Sequence, residues 1–193
     1  MSTMYDFGER LRFSQGHDQR GVTAILLDRV PNATGIRRAS EVSDRQGTDY
    51  WVDRDHGHLP PLSVDVKVRE EDWAAKPAPF TADDLALETW SSIGSKVGWT
   101  RDPDKRTDYI LWWWCDTGRF FLVPFHPLCH VFSRKWSEWQ ERYKTRPQPN
   151  AGWTSECVFV PRIVVVEALN RWSDGRTKST TTQPAQLSLE VAP

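Results

Sequence analysis

The chain has 193 residues, a length that suits one domain with a hydrophobic core of its own. Its 25 Lys and Arg residues are balanced by 26 Asp and Glu residues, which excludes a globally basic nucleic-acid-binding protein but not a local basic groove. The three cysteines are far apart and lack a C-x-x-C spacing, so we expect reduced thiols in a cytoplasmic protein. No apolar run approaches the roughly 20 residues of a membrane-spanning helix, which predicts no membrane partner.

Segments of strand and helix character alternate along the chain and predict an α/β fold. A single domain is expected over residues 1–172, and a Ser-, Thr-, Gln- and Pro-rich tail over residues 173–193 is expected to be disordered because it is poor in bulky apolar residues. The predicted elements, in chain order, are a helix over Tyr5–Phe13, a segment of mixed character over Gly21–Val30, strands over Thr48–Val52, Ser63–Arg69, Leu85–Trp90, Thr107–Trp114 and Arg119–Pro124, a helix over Leu128–Lys144, a Pro-rich break over Arg146–Asn150, a strand over Glu156–Val166 and a short helix over Glu167–Trp172.

The second predicted strand has an unusual distribution of charge. Asp65 and Lys67 are two residues apart, so their side chains project from the same face of an extended strand. Val64, Val66 and Val68 alternate with them and are predicted to point the other way, into a core. A carboxylate that could hold a metal ion therefore lies beside an ammonium group.

Three carboxylates fall on the first three predicted strands: Asp49, Asp65 and Glu88. For any one acidic residue a solvated surface position is the commoner situation, but each of these lies among residues that are predicted to be buried. If the strands are neighbours, their lateral spacing of roughly 4.8 Å lets the carboxylates converge on one ion. Oxygen ligands favour Mg²⁺ or Mn²⁺, and Lys67 would then orient the attacking water and neutralise charge in the transition state.

This pattern resembles the PD-(D/E)XK nuclease superfamily, in which one strand carries an acid and the next carries D/E-x-K. Gly47-Thr48-Asp49 matches the first element and Asp65-Val66-Lys67 matches the second. The resemblance covers roughly Met4 to Lys144, with Cys157–Val166 as a further strand of the fold. It implies a restriction-endonuclease-like core, that is, a central mixed β-sheet flanked by helices, and Mg²⁺-dependent cleavage of DNA. The family often has a glutamate on the first helix, for which Glu9 is the nearest candidate.

The match departs from the family pattern in two respects. No proline precedes Asp49, and the sixteen residues from Asp49 to Asp65 include a Pro-Pro loop. In a second register Asp65 is the first acid and Glu88 opens the second element. Trp90 then stands where the lysine belongs, and Lys67 would have to supply that charge from the neighbouring strand. Asp65 and Lys67 take part in both registers.

The sequence therefore predicts a metal-dependent nuclease that hydrolyses phosphodiester bonds in DNA, with catalytic residues Asp49, Asp65, Lys67 and Glu88. The three carboxylates are the predicted ligands of Mg²⁺ or Mn²⁺. Basic residues between Lys96 and Arg106 could contact phosphates, although a solvated charged loop is the commoner situation. Cleavage of both strands of a duplex would favour a homodimer.

Two other classes of protein remain open. One is a catalytically inactive nuclease-like protein that binds nucleic acid or a host defence protein, as a phage or mobile-element factor would. The other is a structural or interaction domain in which the acid-lysine pairs are salt bridges and nothing more.

Overall fold

The computed structural model describes residues 21–79, 82–150 and 152–177. They form a mixed α/β structure with two β-sheets. The first part of the chain contains α1 (residues 21–29), β1 (Ala33–Arg38), α2 (Glu41–Arg45), β2 (Tyr50–Arg54), a 3₁₀ helix (Asp55–Gly57), β3 (Leu59–Arg69) and a second 3₁₀ helix (Trp73–Ala75). The rest contains β4 (Asp84–Ser92), β5 (Lys96–Val97), β6 (Tyr109–Trp114), β7 (Phe120–Pro124), α3 (Phe125–Arg142), β8 (Thr145–Asn150), β9 (Trp153–Pro161) and α4 (Arg162–Thr177).

The described residues group into two compact units. One comprises residues 21–75 and 103–125 and contains a five-stranded sheet with the order β1-β2-β3-β6-β7. The other comprises residues 76–102 and residues from 126 onward, and it contains a four-stranded sheet with the order β5-β4-β9-β8. The polypeptide passes from the first unit to the second, back again and out once more, so neither unit is a continuous piece of chain.

The five-stranded sheet is mixed. Its strands β1, β2 and β3 are successive antiparallel neighbours, β6 lies parallel to β3, and β7 returns antiparallel to β6. The parallel pairing aligns Asp65 with Ile110 and Lys67 with Trp112. Between β3 and β6 the chain makes the long crossover that a parallel pair requires, and this crossover carries β4 and β5.

One face of the five-stranded sheet packs against α1. Apolar side chains recur on α1 and just after it at the spacing of one helix face, at Val22, Leu26 and Val30, and all three are buried. Their partners on the sheet are Tyr50, Val52, Val64, Val66, Leu111 and Trp113, with Val68 packed at the edge of the cluster. The prediction that the valines of the second strand point into a core is confirmed, and the Asp-x-Lys pair consequently lies on the other face.

The structure changes several predicted elements. The Pro-rich segment predicted as a break is strand β8, which lies at the edge of its sheet. An edge strand accommodates Pro147 and Pro149 because the donors that they lack can face away from its one neighbour, β9. The next strand ends at Pro161 rather than Val166, because α4 begins at Arg162.

Other predictions meet the limits of the described residues. Helix α4 extends to Thr177, past the predicted start of the tail at residue 173. The remainder of that tail, the helix predicted over Tyr5–Phe13 and the candidate Glu9 lie outside the described residues. Within the described ranges, none of the helices combines the length and the apolar character needed to cross a membrane.

Candidate functional site

The structure brings Asp49, Asp65 and Lys67 together on one face of the five-stranded sheet. Asp49 immediately precedes β2, and the antiparallel register of β2 and β3 places Tyr50 opposite Val64. The Asp49 carboxylate oxygen Oδ2 accepts a hydrogen bond of 2.6 Å from the backbone N–H of Val66. The side chain of Asp49 is thereby held over β3, beside the carboxyl group of Asp65.

Asp65 is the centre of the cluster. It is only 3% exposed, and each of its carboxylate oxygens contacts a lysine. Lys67 Nζ lies 2.8 Å from Oδ1, and Lys105 Nζ donates a hydrogen bond to Oδ2. A buried carboxylate is costly unless it is paired, and here two ammonium groups pair with it. Among the described residues of this unit, the cluster brings together two acids and two lysines, whereas the sequence predicts three acids and one lysine.

Lys105 is the site residue that sequence reasoning misses. It lies in the loop before β6, among basic residues that were predicted to meet phosphates or solvent, yet it is 9% exposed. The loop is fixed to the segment before β2 by two hydrogen bonds: from the Arg106 N–H to the Gln46 carbonyl at 2.9 Å, and from the Thr48 hydroxyl to the Arg106 carbonyl at 2.6 Å. A buried lysine needs a nearby acid as its partner. The sequence alone does not show which loop reaches Asp65 to supply that lysine.

The two acids have opposite electrostatic environments. Burial opposes the ionisation of Asp65, but the charges and hydrogen bonds of Lys67 and Lys105 outweigh it and hold its pKa below the ordinary value. Burial, and next the charge of Asp65, raise the pKa of Asp49 to about 7. A hydrogen bond between the two carboxyl groups, which requires a proton on one of them, acts in the same direction. Asp49 therefore keeps a proton to higher pH than Asp65 does.

Gly47 leaves the space that Lys105 occupies. Its φ is +92°, and a Cβ added there would lie 2.2 Å from Lys105 Nζ. Gly57 has nearly the same φ, +91°, but no atom lies within 4 Å of the position of its Cβ. A substitution at Gly57 therefore tests backbone strain alone, whereas the same substitution at Gly47 tests that strain together with contact with Lys105.

We expect Gly57→Ala to lower the free energy of unfolding by about 1–2 kcal/mol, the cost of a left-handed alanine. Gly47→Ala is expected to cost about 1–3 kcal/mol more, because the added methyl group overpacks against Lys105. Urea denaturation of the two variants measures the difference. Equal losses would mean that Lys105 moves aside without cost.

Glu88 does not join this cluster through a neighbouring strand. The predicted role of Glu88 required its strand to adjoin that of Asp65, and this condition is not met: β3 has β2 and β6 as its neighbours, whereas Glu88 lies on β4 in the four-stranded sheet. The Glu88 carboxylate accepts hydrogen bonds from the Ser91 hydroxyl at 2.7 Å and from the Trp99 N–H at 3.1 Å. The first bond lies within β4 and the second links β4 to the segment just after β5, which gives Glu88 a local structural role.

The chemistry of the donor set can be compared with the needs of a divalent cation. No group of three or more His, Cys, Asp or Glu side chains is placed to hold a metal ion in the described part of the chain. Mg²⁺, however, is usually bound through one or two carboxylates together with waters and substrate phosphates. Asp49 and Asp65 supply two carboxylates, and each ionised oxygen can accept more than one partner. Asp49 and Asp65 are the residues of this cluster that could hold such an ion, with water and phosphate oxygens completing its coordination.

Comparison with known proteins gives no relative: no family model, no curated protein and no solved structure matches the chain.

Proposed function

We propose that the protein is a metal-dependent nuclease of the PD-(D/E)XK type that hydrolyses phosphodiester bonds in DNA. One observation carries the proposal: the acid before β2 and the Asp-x-Lys of β3 meet on one sheet face, with Lys67 Nζ 2.8 Å from Asp65 Oδ1. The five-stranded sheet is mixed, and α1 covers one of its faces. This arrangement is compatible with a restriction-endonuclease-like core, which is part of the proposal.

Each residue of the cluster has a role in this mechanism. Asp49 and Asp65 would hold Mg²⁺ or Mn²⁺, which, when bound, would polarise the phosphodiester and lower the pKa of a bound water. Lys67 has a side chain that is 26% exposed, so it lies nearer to solvent than Asp65. From there its ammonium group would orient the attacking water and neutralise charge on the phosphate.

Lys67→Ala is expected to lower the rate of plasmid DNA cleavage in Mg²⁺ or Mn²⁺ at least about 100-fold, because it removes a positive charge that would stabilise the transition state. Lys135→Ala on α3 is the matched control, since that lysine is exposed and pairs with Glu138. Its cleavage rate should equal that of the wild type, and EDTA should abolish cleavage by both proteins.

Circular dichroism and the thermal unfolding midpoint would show that Lys67→Ala remains folded. Asp65→Asn, tested in parallel, should also lose cleavage. Absence of cleavage by the wild type across duplex DNA, single-stranded DNA and RNA would overturn the assignment of an enzyme. Equal rates in wild type and Lys67→Ala would overturn the role of the lysine.

A second function has support from one observation. Both oxygens of Asp65 already contact lysines, so the cluster satisfies its charges without an ion. This would suit a catalytically inactive nuclease-like protein that binds nucleic acid or a host defence protein, such as a phage or mobile-element factor. That protein would bind DNA in a gel-shift assay equally well in EDTA and in Mn²⁺, and it would cleave nothing.

A further inference from the structure

Lys105 has surroundings that are unusual for a lysine. Its Nζ contacts Asp65 Oδ2, lies 3.4 Å from the Gly47 carbonyl oxygen and is 5.8 Å from the centre of the Phe125 ring. Its side chain is only 7% exposed. A buried ammonium group is stable only when it is paired, and Asp65 is the acidic partner of this one.

The two lysines occupy different depths of the site. Lys67 has a side chain that is 26% exposed and contacts one oxygen of Asp65, whereas the deeply buried Lys105 contacts the other. A divalent ion held by Asp49 and Asp65 would bind the Asp65 carboxylate that both lysines already contact. The two ammonium groups would repel this ion. The side chain of Lys67 is the more exposed of the two. The loop of Lys105 is fixed by the hydrogen bonds that the Arg106 N–H and the Thr48 hydroxyl donate.

We propose that Lys105 is a resident counter-ion of Asp65 that weakens divalent-ion binding in the DNA-free protein, so that the ion and the DNA backbone bind together. The inference rests on the proposed metal site and adds a regulatory property to it. The phosphates of DNA would supply oxygen ligands to the ion and negative charge to offset the two lysines. Because coupling between two ligands is reciprocal, DNA would raise the affinity for the ion as much as the ion raises the affinity for DNA.

The test is Mn²⁺ binding to the full-length, DNA-free protein, measured by isothermal titration calorimetry. Lys105→Met keeps the length and apolar stem of the side chain but removes its charge. We expect this variant to bind Mn²⁺ at least about tenfold more tightly than the wild type, since charges a few ångströms apart in a partly buried site interact strongly. Lys135→Met, on α3 with a side chain that is 43% exposed, is the matched control and should leave the affinity unchanged.

A duplex oligonucleotide with phosphorothioate linkages, which resist cleavage, provides the second measurement. It should raise the Mn²⁺ affinity of the wild type by a larger factor than that of Lys105→Met. Equal factors would contradict the proposed coupling. Unchanged or weaker Mn²⁺ binding by the DNA-free variant would overturn the role of Lys105.

Failure of this inference is distinguishable from failure of the proposed function. If wild type and Lys105→Met bind Mn²⁺ equally and Asp65→Asn binds none, the metal site stands and only the role of Lys105 falls. If none of the three proteins binds Mn²⁺ even with the phosphorothioate duplex present, the metal-dependent nuclease falls as well. If Lys105→Met does not fold in EDTA, Lys105→Gln replaces it, and the Mn²⁺-induced rise in its unfolding midpoint should exceed that of the wild type. A smaller or equal rise would overturn the inference.

Discussion

Asp65→Ala is expected to lower the free energy of unfolding by about 3–5 kcal/mol, the cost of leaving a buried charge without its partner. The stranded charge is the ammonium group of Lys105, which is only 9% exposed. Lys67, with a more exposed side chain, can reach water and contributes less to the loss. Guanidinium chloride denaturation in EDTA at pH 7 measures the effect.

A second substitution measures how much of this loss comes from the pair of Asp65 and Lys105. In the double variant Asp65→Ala/Lys105→Met the uncompensated charge is gone, and a well-packed apolar pair in place of a buried ion pair is often neutral in stability. Most of the loss should therefore be recovered. Asp44→Ala, at an exposed position on α2, serves as the control and should change stability by no more than about 0.5 kcal/mol. Equal losses in the single and double variants would show that Lys105 is not the source of the cost.

Asp49→Asn is expected to stabilise the protein increasingly as pH rises. Burial and the charge of Asp65 raise the folded-state pKa of Asp49 to about 7, from its ordinary value of 3.8. A raised folded-state pKa means that its contribution to stability is fully present below about pH 4 and is lost as pH rises through about 7. Asp49→Asn does not lose stability in this way, because an amide does not ionise. Its stability relative to wild type should rise by roughly 2–3 kcal/mol between pH 5 and pH 8.

Urea denaturation of both proteins at pH 5, 6, 7 and 8, all in EDTA, gives this difference directly. Asp44→Asn controls for the loss of one negative charge from the surface and should show a flat difference over the same range. A flat difference for Asp49→Asn as well would mean that its carboxyl group ionises in the folded protein as it does in the unfolded chain.

Local features of this site were predictable from the sequence and distant ones were not. The alternation of Asp65 and Lys67 with three valines defines two faces of one strand, because the period of two is a property of the strand alone. Asp49 could be placed beside them because β2 and β3 are consecutive antiparallel strands. Both predictions depend on residues that are close in sequence.

Glu88 and Lys105 depend on the path of the chain between strands. The predicted role of Glu88 required the third predicted strand to adjoin the second, but the chain enters the other sheet after β3 and returns as β6. Consecutive strands are usually neighbours in space, and this chain is an exception at that step. The return brings the loop that carries Lys105 onto Asp65, and no sequence pattern shows that a residue forty positions away completes the pair.

The long crossover between β3 and β6 also affects how the site forms during folding. The contact of Asp65 with Lys67 spans two residues, whereas its contact with Lys105 spans 40 and requires β6 to have docked beside β3. Contacts of large sequence separation carry the entropy of loop closure and form late. Until that step Lys67 is the lysine of this cluster that can pair with Asp65. The cluster of two acids and two lysines is therefore complete only once β6 has paired with β3, and a chain arrested before that pairing would present Asp49 and Asp65 to metal ions without Lys105.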